Sequence, residues 1–160
     1  MATWDEFAAA APELAGKVRA AFDRGVNKLL ATLRRDGSPH ISGIETTLKD
    51  GELWLGMMPQ SRKALDLRRD PRMALHSPSE DPGEEPSKWP GDAKLAGRAV
   101  EITDPAALKA FRSPDQPPGP FHLFRVELTE VVLTRVGDPP DHLVIELWRD
   151  GEGLHRFQRR

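Results

Sequence analysis

The sequence of 160 residues contains no cysteine and no tyrosine, and only 6% of its residues are aromatic. Without cysteine the chain can form no disulfide, thiolate nucleophile, iron–sulfur cluster or cysteine-ligated zinc site. Its 23 basic and 25 acidic residues leave a net charge of −2, which lacks the positive excess that holds a polyanion. We therefore expect a soluble protein from a reducing compartment that does not bind nucleic acid.

Long apolar runs are also missing from the sequence. No stretch of 18 consecutive apolar residues occurs, and the segment Met1–Phe7 lacks the basic start and the apolar core of a secretory signal. The length suits one domain around one hydrophobic core. These features predict a single cytoplasmic domain, residues 1–160, with no membrane span.

Near Lys28 the hydrophobic period changes from that of helices to that of strands. Thr3 and Glu6 have the spacing of a capping box, and the apolar spacing that follows predicts helices within residues 1–25. Two further helices are predicted, one over 61–69 and one that begins at Asp104–Pro105 and runs to about Arg112. Alternating segments bounded by turn residues predict strands over 29–33, 40–48, 52–57, 72–77, 93–102, 121–136, 142–149 and 154–158. This pattern predicts a mainly β protein, a closed or split Greek-key-like barrel with inserted helices.

Two segments rich in proline interrupt the strands. Residues 78–92 and 113–120 are predicted to be surface loops, because proline cannot take part in a central strand. Trp89 lies in the first loop, and we expect it to be partly buried at a rim over a bound substrate. The apolar alternation shifts phase within 121–136, which predicts a β-bulge near Thr129–Glu130.

Two cations follow a serine that has the position of a helix cap. The N-terminus of a helix carries partial positive charge and usually attracts acidic side chains, but here Arg62 and Lys63 follow Ser61 directly. A bound anion would relieve the repulsion between them, and phosphate is the natural candidate. The alternative is that both side chains are simply solvated.

Seven short segments stand in a characteristic order. They are Leu30–Leu33, Asp36–Pro39, Gly51–Leu55, Ser61–Ala64, Asp70–Leu75, Ile145–Trp148 and Leu154–Phe157. In this order and spacing the chain resembles the pyridoxamine-phosphate-oxidase-like family of flavin-binding split barrels, and the resemblance covers residues 29–157. It implies a homodimer in which FMN lies between the two subunits.

The resemblance also implies which residues contact the cofactor. The Ser-Arg-Lys cluster would hold the phosphate, the second and third strands would lie beside the ribityl chain and the ring, and two C-terminal residues would cover the ring from the partner subunit. The residues implied in this way are Ser42, Ile44, Thr46, Thr47, Gly56, Met57, Ser61, Arg62, Lys63, Trp148 and Arg156. No catalytic side chain is implied, because the flavin itself supplies the chemistry.

The chain departs from the oxidase pattern at several of these positions. Ser42 stands where an arginine is expected, Thr47 where a lysine is expected and Gly56 where a tyrosine is expected. The residue that the family pattern has between His155 and Arg156 is missing, and the terminal signature of the true oxidase is absent. The departures argue against pyridoxamine phosphate oxidation itself. We expect an FMN-dependent oxidoreductase that acts on another small organic substrate.

Three alternatives remain on the same fold. A deazaflavin coenzyme would need a basic groove for its acidic tail, which Arg68, Arg69 and Arg72 could supply. A non-catalytic protein could bind FMN, or haem through His40, His76 or His155. A third alternative is an oligomeric module that binds no cofactor. No His-Glu-x-x-His spacing occurs, so no metal site is expected.

Overall fold

Six strands close into a barrel, and two more extend its sheet. The computed structural model describes residues 1–160. The strands are β1 (Asn27–Leu33), β2 (Pro39–Lys49), β3 (Glu52–Met57), β4 (Arg72–His76), β5 (Asp92–Ile102), β6 (His122–Val136), β7 (Leu143–Arg149) and β8 (Gly153–Arg159). They pair antiparallel in the order β3-β2-β1-β4-β5-β6-β7-β8, and pairing between β3 and β6 closes the first six. The predicted mainly β split barrel is confirmed.

Four helices are inserted between these strands. They are α1 (Trp4–Ala10), α2 (Pro12–Phe22), α3 (Arg62–Arg69) and α4 (Pro105–Phe111). The predicted capping box begins α1, because the Thr3 hydroxyl accepts from the Glu6 N–H at 3.1 Å and the Glu6 carboxylate accepts from the Thr3 N–H at 3.0 Å. None of the helices has the length and apolar character to cross a membrane; the longest has 11 residues.

The N-terminal helices and the barrel share one apolar core. Phe7 and Val18 are fully buried, and they belong to the same cluster as Leu55 and Phe124 of the barrel. Burying each such side chain stabilises the fold by roughly 1.5–3 kcal/mol. The ring of Phe7 lies 5.0 Å from that of Trp148 on β7, measured between centroids. The two N-terminal helices therefore cover the face of the sheet formed by β5, β6 and Trp148 of β7.

Strand β2 presents two different faces. Ile44 is buried, whereas Ile41, Gly43, Glu45 and Thr47 are exposed, as the alternation of a strand requires. We call the exposed side the outer face of β2. Its register with β1 is fixed by seven residue pairs from Asn27↔Glu45 to Leu33↔Pro39.

The predicted bulge on β6 is confirmed. Ala96 pairs with Glu130 and Gly97 pairs with Leu128, which leaves Thr129 without a partner. A Cβ atom on Gly97 would collide with the backbone carbonyl of Glu127. Only glycine allows the two strands to approach so closely there.

The first proline-rich segment connects β4 to β5, and the second, 113–120, connects α4 to β6. Between β4 and β5 the only regular element is a 3-10 turn, Pro86–Lys88. The Ser87 hydroxyl donates to the carbonyl of Gly137 at 2.5 Å, which holds this loop against the end of β6. Trp89 is partly buried, with its indole nitrogen inside the protein. That part of the prediction is confirmed.

Candidate functional site

A groove of about 660 Å³ follows the outer face of β2 and β3 to the start of α3. This volume lies within the range of roughly 300–1,000 Å³ that small-molecule sites occupy. Six of the eleven residues expected to contact a cofactor line it: Ile44, Thr47, Gly56, Met57, Ser61 and Lys63. The structure thus brings the middle of β2, the end of β3 and the first turn of α3 to one site.

The first turn of α3 forms one end of the groove. Ser61 caps the helix, since its hydroxyl accepts from the Ala64 N–H at 3.3 Å. The N–H groups of a first turn have no acceptor inside their own helix. The Lys63 ammonium donates to the Gly43 carbonyl at 2.7 Å, which fixes its position at the groove. Hydroxyl, amides and ammonium together form a site suited to an anion such as phosphate.

At two positions, Gly43 and Gly56, the floor of the groove is strand backbone that carries no side chain. A Cβ atom on Gly43 would meet no atom within 4 Å, and one on Gly56 would meet only a carbon of Phe111 at 3.9 Å. Packing within the chain therefore does not require glycine at either position. Side chains there would project into the groove. Their absence leaves room for a flat ligand to lie directly on the strands.

The opposite wall comes from α4 and the proline-rich loop 113–120. Phe111 packs against Trp54 and Phe121, with ring centroids 5.6 and 6.3 Å apart. The Arg112 guanidinium donates to the carbonyls of Pro117, at 3.0 Å, and Gly119, which holds the loop in place. Sequence reasoning missed this wall because a loop has no periodicity that places it. The only signal was the pair of phenylalanines at the two ends of the segment.

Ser42 and Thr46 do not line the groove, and their contact with a cofactor stays a prediction. The Ser42 hydroxyl is buried and has no hydrogen-bond partner. Thr46 lines a separate cavity of about 260 Å³ together with Trp4 and Phe22. Of the segment 42–47, only residues 43, 44, 45 and 47 line the groove.

Trp148 lies in the core, which corrects its predicted role over a partner's cofactor. Its side chain packs on Phe7 and is only 4% exposed, because α1 covers this face of β7. Arg156, on the outer strand β8, is instead exposed. Its guanidinium lies 3.3 Å from the buried carboxylate of Glu146. The contact between Arg156 and a partner's cofactor stays a prediction.

Arg62 and Lys63 point to different places. Lys63 lines the groove, whereas Arg62 lines a second depression beside the β1–β2 turn. Consecutive residues of a helix lie about 100° apart around its axis, so the two cations diverge. Trp89 does not line the groove either, because its loop packs on the far end of β6. Its predicted place at a rim over a bound substrate stays a prediction.

The three arginines predicted to form a basic groove are each paired with a carboxylate. Arg68 binds Glu101 through two hydrogen bonds of 2.6 and 2.7 Å. The other two pairs are Arg69–Asp66 at 2.8 Å and Arg72–Asp70 at 2.6 Å. None of these arginines lines the groove. Their charges are therefore largely neutralised within the chain.

The five histidines also lie outside the groove. The His76 ring is hydrogen-bonded to the carbonyl of Ser77 at 2.6 Å, and His155 is exposed on β8. No group of three or more histidine, aspartate or glutamate side chains has the geometry of a metal site. The groove thus offers an anion site and an open floor, but no imidazole ligand.

Asp66 is a buried carboxylate beneath α3 with three donors. It accepts hydrogen bonds of 2.8 Å from the Thr32 hydroxyl, the His40 Nδ1–H and the Arg69 guanidinium. Burial alone would raise the pKa of Asp66, but the hydrogen bonds from His40, Thr32 and Arg69 outweigh it, and the pKa is lowered. The ionised form of Asp66 is therefore favoured in the folded state.

This lowered pKa predicts an acid-sensitive contribution to stability. It is fully present above the unfolded-state pKa of about 3.9 and is lost as the pH falls through the lower folded-state value. We expect Asp66→Asn to unfold at a lower temperature than wild type at pH 7, and the difference to shrink below about pH 4. Thermal melts from pH 7 to pH 2 measure this, with Asp115→Asn on an exposed loop as control. A difference that does not depend on pH would contradict it.

Comparisons with known proteins agree with this fold. A family model described as pyridoxamine 5'-phosphate oxidase matches residues 16–135, which are 120 of the 160 residues. The structure of PhzG from Burkholderia lata 383, in complex with tetrahydrophenazine-1-carboxylic acid, is 16% identical, with a TM-score of 0.63 over 98% of this chain and 93% of that one. No protein of curated function matches the sequence.

Two further solved structures share the fold at lower coverage. General Stress Protein 26 from Bacillus anthracis str. Sterne is 16% identical, with a TM-score of 0.55 over 74% of this chain and 91% of that one. A structure described as F420 reductase is 18% identical, with a TM-score of 0.51 over 71% and 94%. At these identities the similarity shows the fold alone.

Proposed function

Because the chain belongs to the pyridoxamine 5'-phosphate oxidase family, we propose that its groove binds FMN and that the protein is an oxidoreductase acting on a small organic substrate. One observation carries the proposal. A phosphate-type anion site at Ser61 and Lys63 ends a groove whose floor is left free of side chains at Gly43 and Gly56. The combination suits a planar ring that is joined to a phosphate.

The residues of the groove divide between the two ends of such a cofactor. The Ser61 hydroxyl, the first-turn amides of α3 and the Lys63 ammonium would hold the phosphate. Thr47, Gly56 and Met57 would lie beside the ring. Bound FMN would supply reversible hydride or electron transfer. The protein's own part is to position the ring and to exclude water, which the Phe111 wall supports.

The same residues favour FMN over the two other cofactors considered. A deazaflavin coenzyme with an acidic tail needs unpaired cations along the groove, but Arg68, Arg69 and Arg72 are each paired with a carboxylate. Haem needs an axial ligand, and no histidine lines the groove. The F420 reductase likeness, at 18% identity, concerns the fold and does not favour its coenzyme here.

The outer face next to the groove supports a homodimer. Leu29 and Ile41 are 52% and 67% exposed. In the register of the two strands, Leu29 stands opposite Gly43 and Ala31 stands opposite Ile41, so four adjacent outward positions carry no charge. An exposed apolar patch of this kind usually marks an interaction site. A second copy packed here would cover the patch and close the open side of the groove.

A charge placed in this patch is expected to separate the subunits. Ile41→Lys would bury an unpaired ammonium in the interface, so light scattering should give about 17.8 kDa in place of twice that mass. Ala9→Lys, at an exposed position of α1, adds the same charge elsewhere and should leave the dimer intact. A wild-type monomer, or a dimer that survives Ile41→Lys, would argue against this interface.

The absorbance spectrum of the purified and reconstituted protein tests the proposed cofactor. Oxidised FMN gives two bands in the near-ultraviolet and blue, and deazaflavin and haem have different spectra. Loss of the blue band on adding a reducing substrate under nitrogen would support an oxidoreductase. If FMN binds but no substrate or reductant bleaches it, the protein is a flavin binder. If no chromophore binds at all, the proposal fails.

A further inference from the structure

A second depression, of about 370 Å³, lies on the other side of α3 from the groove, and its lining is mostly cationic. Arg34 and Arg35 enter it from the turn between β1 and β2, and Arg62 and Arg69 enter it from α3. His40, at the start of β2, completes the ring of basic side chains. We call this the arginine depression. The single carboxylate in its lining belongs to Asp66.

The positive charge of the arginine depression is only partly neutralised. Asp66 is already bound by Thr32, His40 and Arg69. Arg35 and Arg62 take part in no salt bridge or side-chain hydrogen bond, whereas the Arg34 guanidinium donates only to the Pro39 carbonyl at 2.6 Å. At least three guanidinium groups therefore share one depression without a carboxylate of their own.

The nearest other acid in the sequence forms no salt bridge with these arginines. Asp36 lies in the same turn, but its carboxylate accepts from the Ser38 N–H at 2.9 Å and from the Ser38 hydroxyl at 2.6 Å. These hydrogen bonds and, to a smaller extent, the charge of Arg34 lower the pKa of Asp36. The turn thus presents two cations toward α3 and uses its acid to hold its own shape.

Two of the basic groups are held in place by a buried carboxylate. The buried Asp66 carboxylate fixes the ring of His40 through Nδ1 and the guanidinium of Arg69 through a second oxygen. Because Nδ1–H donates to Asp66, Nε2 of His40 is the ring nitrogen left to face a ligand, and it donates to a phosphate oxygen only in the imidazolium form. The planar guanidinium groups match the oxygens of a phosphate group.

We propose that the arginine depression binds the phosphate group of a small phosphorylated organic molecule, as a second anion site separate from the groove. The exposed Leu65, 49% accessible at its edge, supplies an apolar contact for the organic part. The two sites are divided by the first turn of α3, where Arg62 faces one and Lys63 faces the other. This inference does not depend on what the groove binds.

Calorimetric titration with phenyl phosphate and with inorganic phosphate tests the proposal. The full-length Lys63→Ala variant is used, so that the anion site of the groove does not contribute. We expect one molecule of phenyl phosphate to bind per chain. Adding Arg35→Ala should weaken this binding at least about tenfold, as the loss of one charge-assisted contact does. Arg35 is exposed in a turn, so the variant should fold, which its thermal melt verifies.

Two comparisons show whether binding is specific to the arginine depression and to an organic phosphate. Arg98→Ala, an exposed arginine on β5 without a salt bridge, removes the same charge elsewhere and should leave the affinity unchanged. Phenyl phosphate should bind more tightly than inorganic phosphate, and Leu65→Ser should remove that advantage. Absence of binding, or an equal loss in Arg98→Ala, would overturn the site. Equal affinities for the two probes would overturn its assignment to an organic phosphate.

Discussion

Replacing Gly43 by valine is expected to weaken FMN binding about tenfold to a hundredfold, because the new side chain would occupy the space of the ligand. Gly43 lies on the outer face of β2 at the floor of the groove. A Cβ atom there meets no other atom within 4 Å, so the substitution causes no clash within the chain. Valine also suits an exposed strand better than glycine does. Thermal stability should therefore be unchanged or slightly raised.

Fluorescence titration with FMN measures this effect, and light scattering shows whether the variant is still a dimer. Gly16→Ala serves as the matched control, since a Cβ atom on Gly16 also meets nothing within 4 Å but lies on α2, away from the groove. Its affinity for FMN should equal that of wild type. Unchanged affinity in Gly43→Val would show that the cofactor does not lie on this part of β2.

Replacing Trp148 by alanine is expected to destabilise the protein by about 3–5 kcal/mol, as the loss of a buried tryptophan typically does. Trp148 is 4% exposed and packs on Phe7, so its removal leaves a cavity between α1 and β7. For a chain of this length the melting temperature should fall by roughly 10 °C or more. Trp148→Phe, which keeps an aromatic contact with Phe7, should lose much less.

Thermal and urea unfolding of the two Trp148 variants separate a core role from a cofactor role. A core residue changes stability with or without FMN, and the difference between alanine and phenylalanine follows the volume lost. A residue that covers a cofactor would change FMN affinity and leave the apoprotein stable. A Trp148→Ala apoprotein with wild-type stability would contradict its placement in the core.

Much of the fold could be predicted from sequence because it depends on local pattern. The Thr3–Glu6 capping box, the strands of the barrel and the bulge at Thr129 follow from spacing and alternation. The environment of Trp148 could not be predicted from local pattern. Alternation puts it on one face with Val144 and Glu146, but only the tertiary structure shows that α1 covers that face.

Only part of the candidate site could be predicted, because only part of it depends on local pattern. Ser61 and Lys63 could be found because a helix start with two cations is an unusual local pattern. The resemblance assigns Ser42 and Thr46 to the site together with their neighbours, but neither residue lines the groove. The Phe111 wall and the arginine depression depend on segments distant in sequence. Nothing in a single segment indicates that they meet.

In the proposed function, the groove holds a flavin ring by its floor and a phosphate by the first turn of α3. Fluorescence titration of the wild-type protein with FMN and with riboflavin, which lacks the phosphate, tests it most directly. We expect FMN to saturate one site per chain and to bind at least about tenfold more tightly than riboflavin, because the phosphate adds charge-assisted hydrogen bonds at Ser61 and Lys63. In Lys63→Ala the difference between the two ligands should largely disappear. Equal affinities of the wild-type protein for FMN and riboflavin, or no saturable binding of either, would contradict the claim.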